Sequence, residues 1–218
     1  MSDDGTTKPP APRRFRFLLT RRGFLAGTGM TVAAATLDSC KHGETPRGAT
    51  GAAEVLGPGR VPITLNVNGS PKQVKVEPRA TLADALRLEL DMTGTKIGCD
   101  RGACSACTVW VDGVPVCACM TFALDVGARP VTTIEGLARG STLHPVQEAF
   151  IEHDAMQCGF CTPGMIMSCA ALLERNPSPS LDDVRTATSG NLCRCGTYPN
   201  VFDATLAAAR SPRNGKEG

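Results

Sequence analysis

Cys99-Asp100-Arg101-Gly102-Ala103-Cys104-Ser105-Ala106-Cys107-Thr108-Val109-Trp110-Val111-Asp112-Gly113-Val114-Pro115-Val116-Cys117-Ala118-Cys119 is the stretch on which the reading of the whole chain turns. Cys99, Cys104 and Cys107 stand at C-x4-C-x2-C spacing in a run of small residues, where the backbone can wrap closely around an inorganic core. Residues 108–116 then alternate like two strands about Asp112-Gly113, a dipeptide suited to a two-residue hairpin turn. Such a hairpin runs out and back, and it returns the cysteines at its far end to the loop holding the other three. The spacing therefore closes in space.

This is the thiolate spacing of plant-type [2Fe–2S] centres. Zinc is the competing reading, but it favours paired C-x2-C knuckles around a tetrahedral ion. Cys117 and Cys119 both lie where a fourth ligand is needed, two residues apart and so on one face if the strand continues. Geometry on paper leaves that choice open.

The chain has 11 cysteines in 218 residues, gathered in tight pairs and triplets instead of spread as a disulfide framework would be. Net charge is +2; residues 1–40 hold six Lys/Arg against three Asp/Glu, leaving 17 against 18 in the remainder. No basic face of the kind a nucleic-acid binder needs is present, nor a polybasic membrane patch. There is no G-x-S-x-G, no Gly-rich phosphate loop after a strand and no carboxylate pair in a cleft pattern. The sequence thus carries electron-transfer chemistry and no evident bond-making site.

Residues 1–40 read as a signal segment. Thr20-Arg21-Arg22-Gly23-Phe24-Leu25 precedes a mild apolar run ending at Leu37, and this twin-arginine pattern resembles a bacterial Tat export signal. The run of about 14 residues is too short for a stable membrane span. Export of a folded chain suits thiols that must be loaded with iron in a reducing compartment, so a periplasmic location is expected. Leu37-Asp38-Ser39-Cys40 distantly resembles a lipoprotein box, with a lipid anchor on Cys40 as the alternative; Asp38 fits that pattern poorly. Residues 41–60, rich in Gly, Pro, Ala and Thr, read as a linker.

Two folded domains are expected, of α+β class overall. In residues 61–136, strands at 61–67 and 73–77 flank Asn68-Gly69, a helix at 82–90 presents Leu82, Leu86 and Leu90 on one face, and a last strand covers 130–134. Hairpin, helix, ligand loop and hairpin are the order of a β-grasp ferredoxin, a step made by analogy of fold. Residues 137–210 change to helical periodicity, with starts at Pro145, at Thr162-Pro163 with Thr162 as cap, at Ser180, and at Tyr198. Residues 211–218 form a tail. Cys158-x2-Cys161 and Cys193-x-Cys195 sit at the starts of helical segments, whose backbone amides can donate to thiolate sulfur. Zinc would also accept these four thiolates.

Taken together, Cys99-Asp100-x-Gly102-x-Cys104-x-Ala106-Cys107-Thr108-Val109, then Gln157-Cys158-Gly159-Phe160-Cys161-Thr162-Pro163-Gly164-Met165, then Gly190-Asn191-Leu192-Cys193-Arg194-Cys195, resemble the small iron–sulfur subunit of the xanthine oxidase family of molybdenum hydroxylases. With the leader, the chain resembles in particular the iron–sulfur subunit of periplasmic aldehyde oxidoreductases or of isoquinoline 1-oxidoreductases. The resemblance spans residues 61–210. It implies one [2Fe–2S] cluster on Cys99, Cys104, Cys107 and Cys119 in the β-grasp domain, and a second on Cys158, Cys161, Cys193 and Cys195 in a four-helix domain. It also implies a large partner subunit carrying molybdopterin, with Gln157 and Cys195 at positions that touch the pterin. Electrons would leave toward a FAD subunit or a cytochrome. The chain would be the electron-transfer subunit of an oxidoreductase complex, with no substrate-converting site of its own. A free-standing two-cluster ferredoxin and a zinc-binding structural module are the alternatives.

Two departures stand out. Ser105 occupies a position where relatives often have Gly, and Gly196-Thr197-Tyr198 follows Cys195 where many have Thr-Gly-Tyr, a change expected to alter the loop near the pterin. The three histidines, His42, His144 and His153, read as surface or helix-cap residues. Cys117 reads as a spare buried thiol, and Cys169, Met165, Met167, Leu172 and Leu173 as core.

Overall fold

Two hairpins with the same turn chemistry frame the first half of the folded chain. A computed structural model describes residues 56–211. The expected leader, Cys40, His42 and most of the expected linker lie outside those residues, as does nearly all of the expected tail. Strands β1 (Val61–Val67) and β2 (Ser70–Val76) pair antiparallel about Asn68-Gly69, at φ +51° and +75°. Strands β3 (Thr108–Val111) and β4 (Val114–Cys117) pair about Asp112-Gly113, at φ +54° and +73°. Both turns need left-handed backbone at two successive residues, which Asn-Gly and Asp-Gly tolerate best. Strand β5 (Pro130–Thr132) runs parallel to β1 and antiparallel to β3, giving a five-stranded sheet in the order β2-β1-β5-β3-β4. Pro71 and Pro115 fall on the two edge strands, where a missing amide is tolerated.

The expected helix at 82–90 forms with an irregularity. Helix α1 (Leu82–Asp84) starts in a capping box, Thr81 Oγ1 accepting from the Asp84 amide at 3.1 Å and the Asp84 carboxylate accepting from the Thr81 amide at 3.2 Å. It then widens into a π turn over Ala85–Glu89, with the Leu90 amide bonding the Ala85 carbonyl at 3.2 Å. Leu82 and Leu86 are fully buried on the sheet and Leu90 packs at the rim of that core. The strand expected over 130–134 stops at Thr132. The Thr133 amide leaves the ladder to donate to Asn68 Oδ1 at 2.9 Å, and Ile134–Gly136 coils into a 3-10 turn. A short helix α2 (Ala123–Val126) precedes β5.

Helices α3 (Pro145–Glu152), α4 (Thr162–Arg175), α5 (Leu181–Thr188) and α6 (Tyr198–Arg210) follow. His144 caps α3 through Nδ1, which accepts from the Val146 amide at 3.2 Å, and His153 closes the same helix, so both histidines are helix-cap residues. Ser180 and Asp183 form a capping box on α5; the Ser180 hydrogen bonds hold the exposed Asp183 carboxyl below its ordinary range. Helix α4 differs from expectation by one residue. Thr162 lies inside the helix, and Cys161 occupies the cap position without a side-chain cap bond, its sulfur turned to other thiols.

Each half has its own apolar cluster, one under the sheet around Leu65, Leu82, Leu86 and Val109, the other among the helices around Phe150, Met165, Met167 and Val201. Trp110 joins them: its ring packs on the helical cluster and Nε1 donates to the Met167 carbonyl at 2.9 Å. Among the described residues no helix is long and apolar enough to cross a membrane.

Candidate metal centres

The first group of thiols is held by a loop, not by regular structure. Asp100, Gly102 and Ser105 all adopt positive φ, curling the chain so that its amides turn inward. The Ala103 amide donates to Cys99 Sγ at 3.2 Å and the Gly102 amide to Cys119 Sγ at 3.4 Å. Strand β4 ends at Cys117, and a 3-10 turn over Ala118–Met120 carries Cys119. Cys117 and Cys119 therefore do not share the face of one extended strand. The turn buries Cys119 and brings its sulfur to Cys107, while Cys117 faces Ser105 Oγ at 3.8 Å and the Gly102 carbonyl at 4.0 Å.

The hydrogen-bond contacts among these thiols run two by two, although Cys117 also lies near enough to Cys107 to act on it through charge. Cys99 pairs with Cys104 and Cys107 with Cys119. The pairs differ electrostatically. The Arg101 amide and the Cys104 thiol draw the Cys99 thiol down to about 7, whereas burial pushes Cys107 up to about 12.

The second group arises from helix ends. Cys158 and Cys161 precede α4; Cys193 and Cys195 lie in the loop before α6. Here too the pairing is two by two, Cys158 with Cys195 and Cys161 with Cys193. The Phe160 amide and the Cys195 thiol lower the Cys158 thiol, and burial raises Cys161 to about 12. Cys193 is also raised by burial, but bonds from the Thr197 hydroxyl and amide, Cys161 and the Gly196 amide outweigh it and leave the thiol at about 7. The Tyr198 hydroxyl accepts from the Cys193 amide at 2.8 Å and donates to the Asn191 carbonyl at 3.1 Å. Gly196, at φ +81°, stands where a threonine would be strained, so this backbone requires the order Gly196-Thr197.

The two loops touch. The Leu192 amide donates to the Cys104 carbonyl at 3.1 Å, and Asn191 Nδ2 donates to the Ser105 carbonyl at 3.1 Å. Gly164 packs so tightly here that a Cβ would stand 2.3 Å from the Ser105 carbonyl oxygen. Gly98 lies beneath both Cys104 Sγ and the Phe160 ring, 3.2 and 3.4 Å from where its own Cβ would be. Gln157, Cys158, Phe160, Leu192 and Cys195, which belong to or flank the second group in sequence, are exposed. Cys169 is buried in the core of α4, as expected. Sequence reasoning missed Asn191, Gly164 and Tyr198 as organisers of the loops; Gly164 and Asn191 belong to quoted motifs, and Tyr198 is the chain's only tyrosine.

Among the described residues no three Cys, His, Asp or Glu side chains converge closely enough for a single metal ion. Two thiols at each end of each group suit a binuclear core, in which each iron takes two thiolates. Comparison with known proteins agrees. Residues 65–125 match the 2Fe-2S iron-sulfur cluster binding domain and residues 133–206 the [2Fe-2S] binding domain. Fold and thiols thus define a protein with two [2Fe–2S]-binding domains of α+β class.

The chain is 42% identical over 208 residues to the aldehyde oxidoreductase iron-sulfur-binding subunit PaoA of Escherichia coli O157:H7, covering 88% of each chain. It is 49% identical to the nicotine 6-hydroxylase small subunit of Paenarthrobacter nicotinovorans, over 68% of this chain and 90% of that one. Quinoline 2-oxidoreductase from Pseudomonas putida 86 superposes with a TM-score of 0.67 at 45% identity, over 69% of this chain and 94% of the matched chain. The aldehyde oxidoreductase of Desulfovibrio desulfuricans gives 0.65 at 46% identity, over 68% of this chain but 17% of that one. The chain belongs to the small iron–sulfur subunits of the xanthine oxidase family of molybdenum hydroxylases. It is the electron-transfer subunit of an oxidoreductase complex.

Proposed function

We propose that this chain conducts electrons from a molybdopterin site in a large partner subunit to an external acceptor, through a cluster on Cys158, Cys161, Cys193 and Cys195 and another on Cys99, Cys104, Cys107 and Cys119. The observation that carries the reading is the two-by-two pairing of the thiols in both groups. Bound there, the clusters supply one-electron storage at two neighbouring positions. The chain's own residues hold those positions together: the Leu192 amide hydrogen-bonded to the Cys104 carbonyl links the backbone beside Cys193 to a residue of the first group. Cys119 is the fourth ligand of that group, because its sulfur meets Cys107 and accepts from the Gly102 amide.

The exposed Gln157, Cys158 and Cys195 mark the face toward the large subunit, with Gln157 and Cys195 against the pterin. The partner's substrate is an aldehyde or an N-heterocycle, in keeping with what the relatives' names state. The sheet order supports a β-grasp domain over 61–136, and helices α3 to α6 a four-helix domain over 137–210. The twin-arginine leader supports export to the periplasm, and a FAD subunit or a cytochrome is the acceptor.

Purification of the complete complex with iron, sulfide and molybdenum analysis tests this. Four irons and four sulfides per small chain, with two [2Fe–2S] EPR signals on substrate reduction, are expected. A colourless, zinc-loaded chain silent after reduction would overturn the redox reading; a stable monomer with both clusters and no molybdenum partner would favour a free-standing ferredoxin.

A further inference from the structure

Thr197 stands at the cap position of α6, where a threonine hydroxyl ordinarily accepts from an amide of the first helical turn. It makes no such bond. Its Oγ1 lies instead 3.2 Å from Cys193 Sγ, and the residue is 4% exposed, so water cannot replace the contact. The geometry is fixed from three directions. Gly196, at φ +81°, turns the chain into the helix, the Tyr198 hydroxyl accepts from the Cys193 amide at 2.8 Å, and the same hydroxyl donates to the Asn191 carbonyl at 3.1 Å. Around the first group, by contrast, the contacts to Cys99 and Cys119 sulfur come from the amides of Ala103 and Gly102.

We infer that the Thr197 hydroxyl sets the reduction potential of the helical cluster, holding it more positive by donating a hydrogen bond to the Cys193 sulfur. The inference rests on the reading of Cys193 as a cluster ligand. An electron added to a [2Fe–2S] centre spreads onto its thiolate sulfurs, and a donor aimed at one of them stabilises the reduced form more than the oxidised form. Thr197 is thus a positioning residue whose effect falls on one cluster of the two.

The test is an EPR-monitored redox titration of the assembled complex carrying Thr197→Val, Thr197→Ala or Thr197→Ser. The helical signal is identified as the one that Cys161→Ser abolishes. T197V is expected to shift the midpoint of that signal to more negative potential, T197S to restore it, and neither to move the other signal. Pulsed EPR in H2O and D2O is expected to lose one exchangeable-proton coupling at the helical cluster in T197V and to regain it in T197S. Full cluster content with an unmoved midpoint in T197V would overturn the inference while leaving the two-cluster reading intact. Loss of the helical cluster in both T197V and T197A would make Thr197 a determinant of assembly and overturn it too. Failure of the unaltered chain to hold a second cluster would instead remove the reading beneath it.

Discussion

The two thiol groups reach the same donor set by opposite routes. The first is local: one segment from Cys99 to Cys119 supplies every thiol, and left-handed residues and a tight hairpin bring the ends together. The second is assembled from two helix starts, with Cys161 and Cys193 separated by the whole of α4 and α5. A local nest depends on turn chemistry, while an assembled one depends on packing between elements distant in sequence. Each group holds one thiol at about 7, where hydrogen bonds to the sulfur prevail, and one pushed up to about 12 by burial; in the first group they belong to different pairs, in the second to the same pair.

The sharpest way to break this comparison is to remove one thiol from each group. Cys119→Ser is expected to abolish the first cluster's EPR signal and about half of the bound iron, while Cys117→Ser leaves both clusters in place. Cys161→Ser is expected to do the reverse, sparing the first signal. A C117S chain that loses the first cluster would reassign the fourth ligand.

Next in size is thiol reactivity in the metal-free protein. Only the thiolate is alkylated, so Cys99 gains reactivity as pH rises through about 7, whereas Cys107 and Cys161, held near 12, stay protonated at neutral pH. Peptide mapping after brief iodoacetamide treatment at pH 8 is expected to find Cys99 labelled far ahead of both. Equal labelling would mean that the metal-free loops lose the arrangement described.

Packing comes third. Gly164→Ala places a methyl 2.3 Å from the Ser105 carbonyl, a backbone atom unable to step aside. Destabilisation of about 3 kcal/mol, at the upper end for overpacking, is expected by denaturant titration. The smallest effect belongs to the local route. Gly113→Ala sits in open space at φ +73°, so only backbone strain of about 1–2 kcal/mol is expected, with both clusters retained. A larger loss for Gly113 than for Gly164 would invert the contrast between local and assembled nests.

The same contrast explains what could be read from the chain beforehand. Asn68-Gly69, Asp112-Gly113, Ser180 with Asp183, and the proline-marked helix starts are short-range signals, and the elements they mark form, although β2 begins at Ser70 where the strand was expected from 73 and α4 is capped by Cys161 instead of Thr162. The wide turn over Ala85–Glu89, the early end of β5 at Thr132 and the 3-10 turn bearing Cys119 were not legible. Two of these answer to partners outside the short-range pattern: Asn68 captures the Thr133 amide, and the Gly102 amide draws in Cys119. The ligand spacings announced the metal chemistry. The contact between the two loops had no short-range signal, since Gly164, Asn191 and Ser105 meet only when both halves have folded.

The Ser105 carbonyl carries a practical lesson for protein engineers. One main-chain oxygen accepts from the Thr108 hydroxyl at 2.7 Å within its own loop and from Asn191 at 3.1 Å across the interface, with Gly164 directly against it. The two family domains, 65–125 and 133–206, are therefore not interchangeable cassettes. A chimera cut between them has to transplant the shape of a serine peptide together with its receptor on the helices, or the grafted ferredoxin module will have no seat.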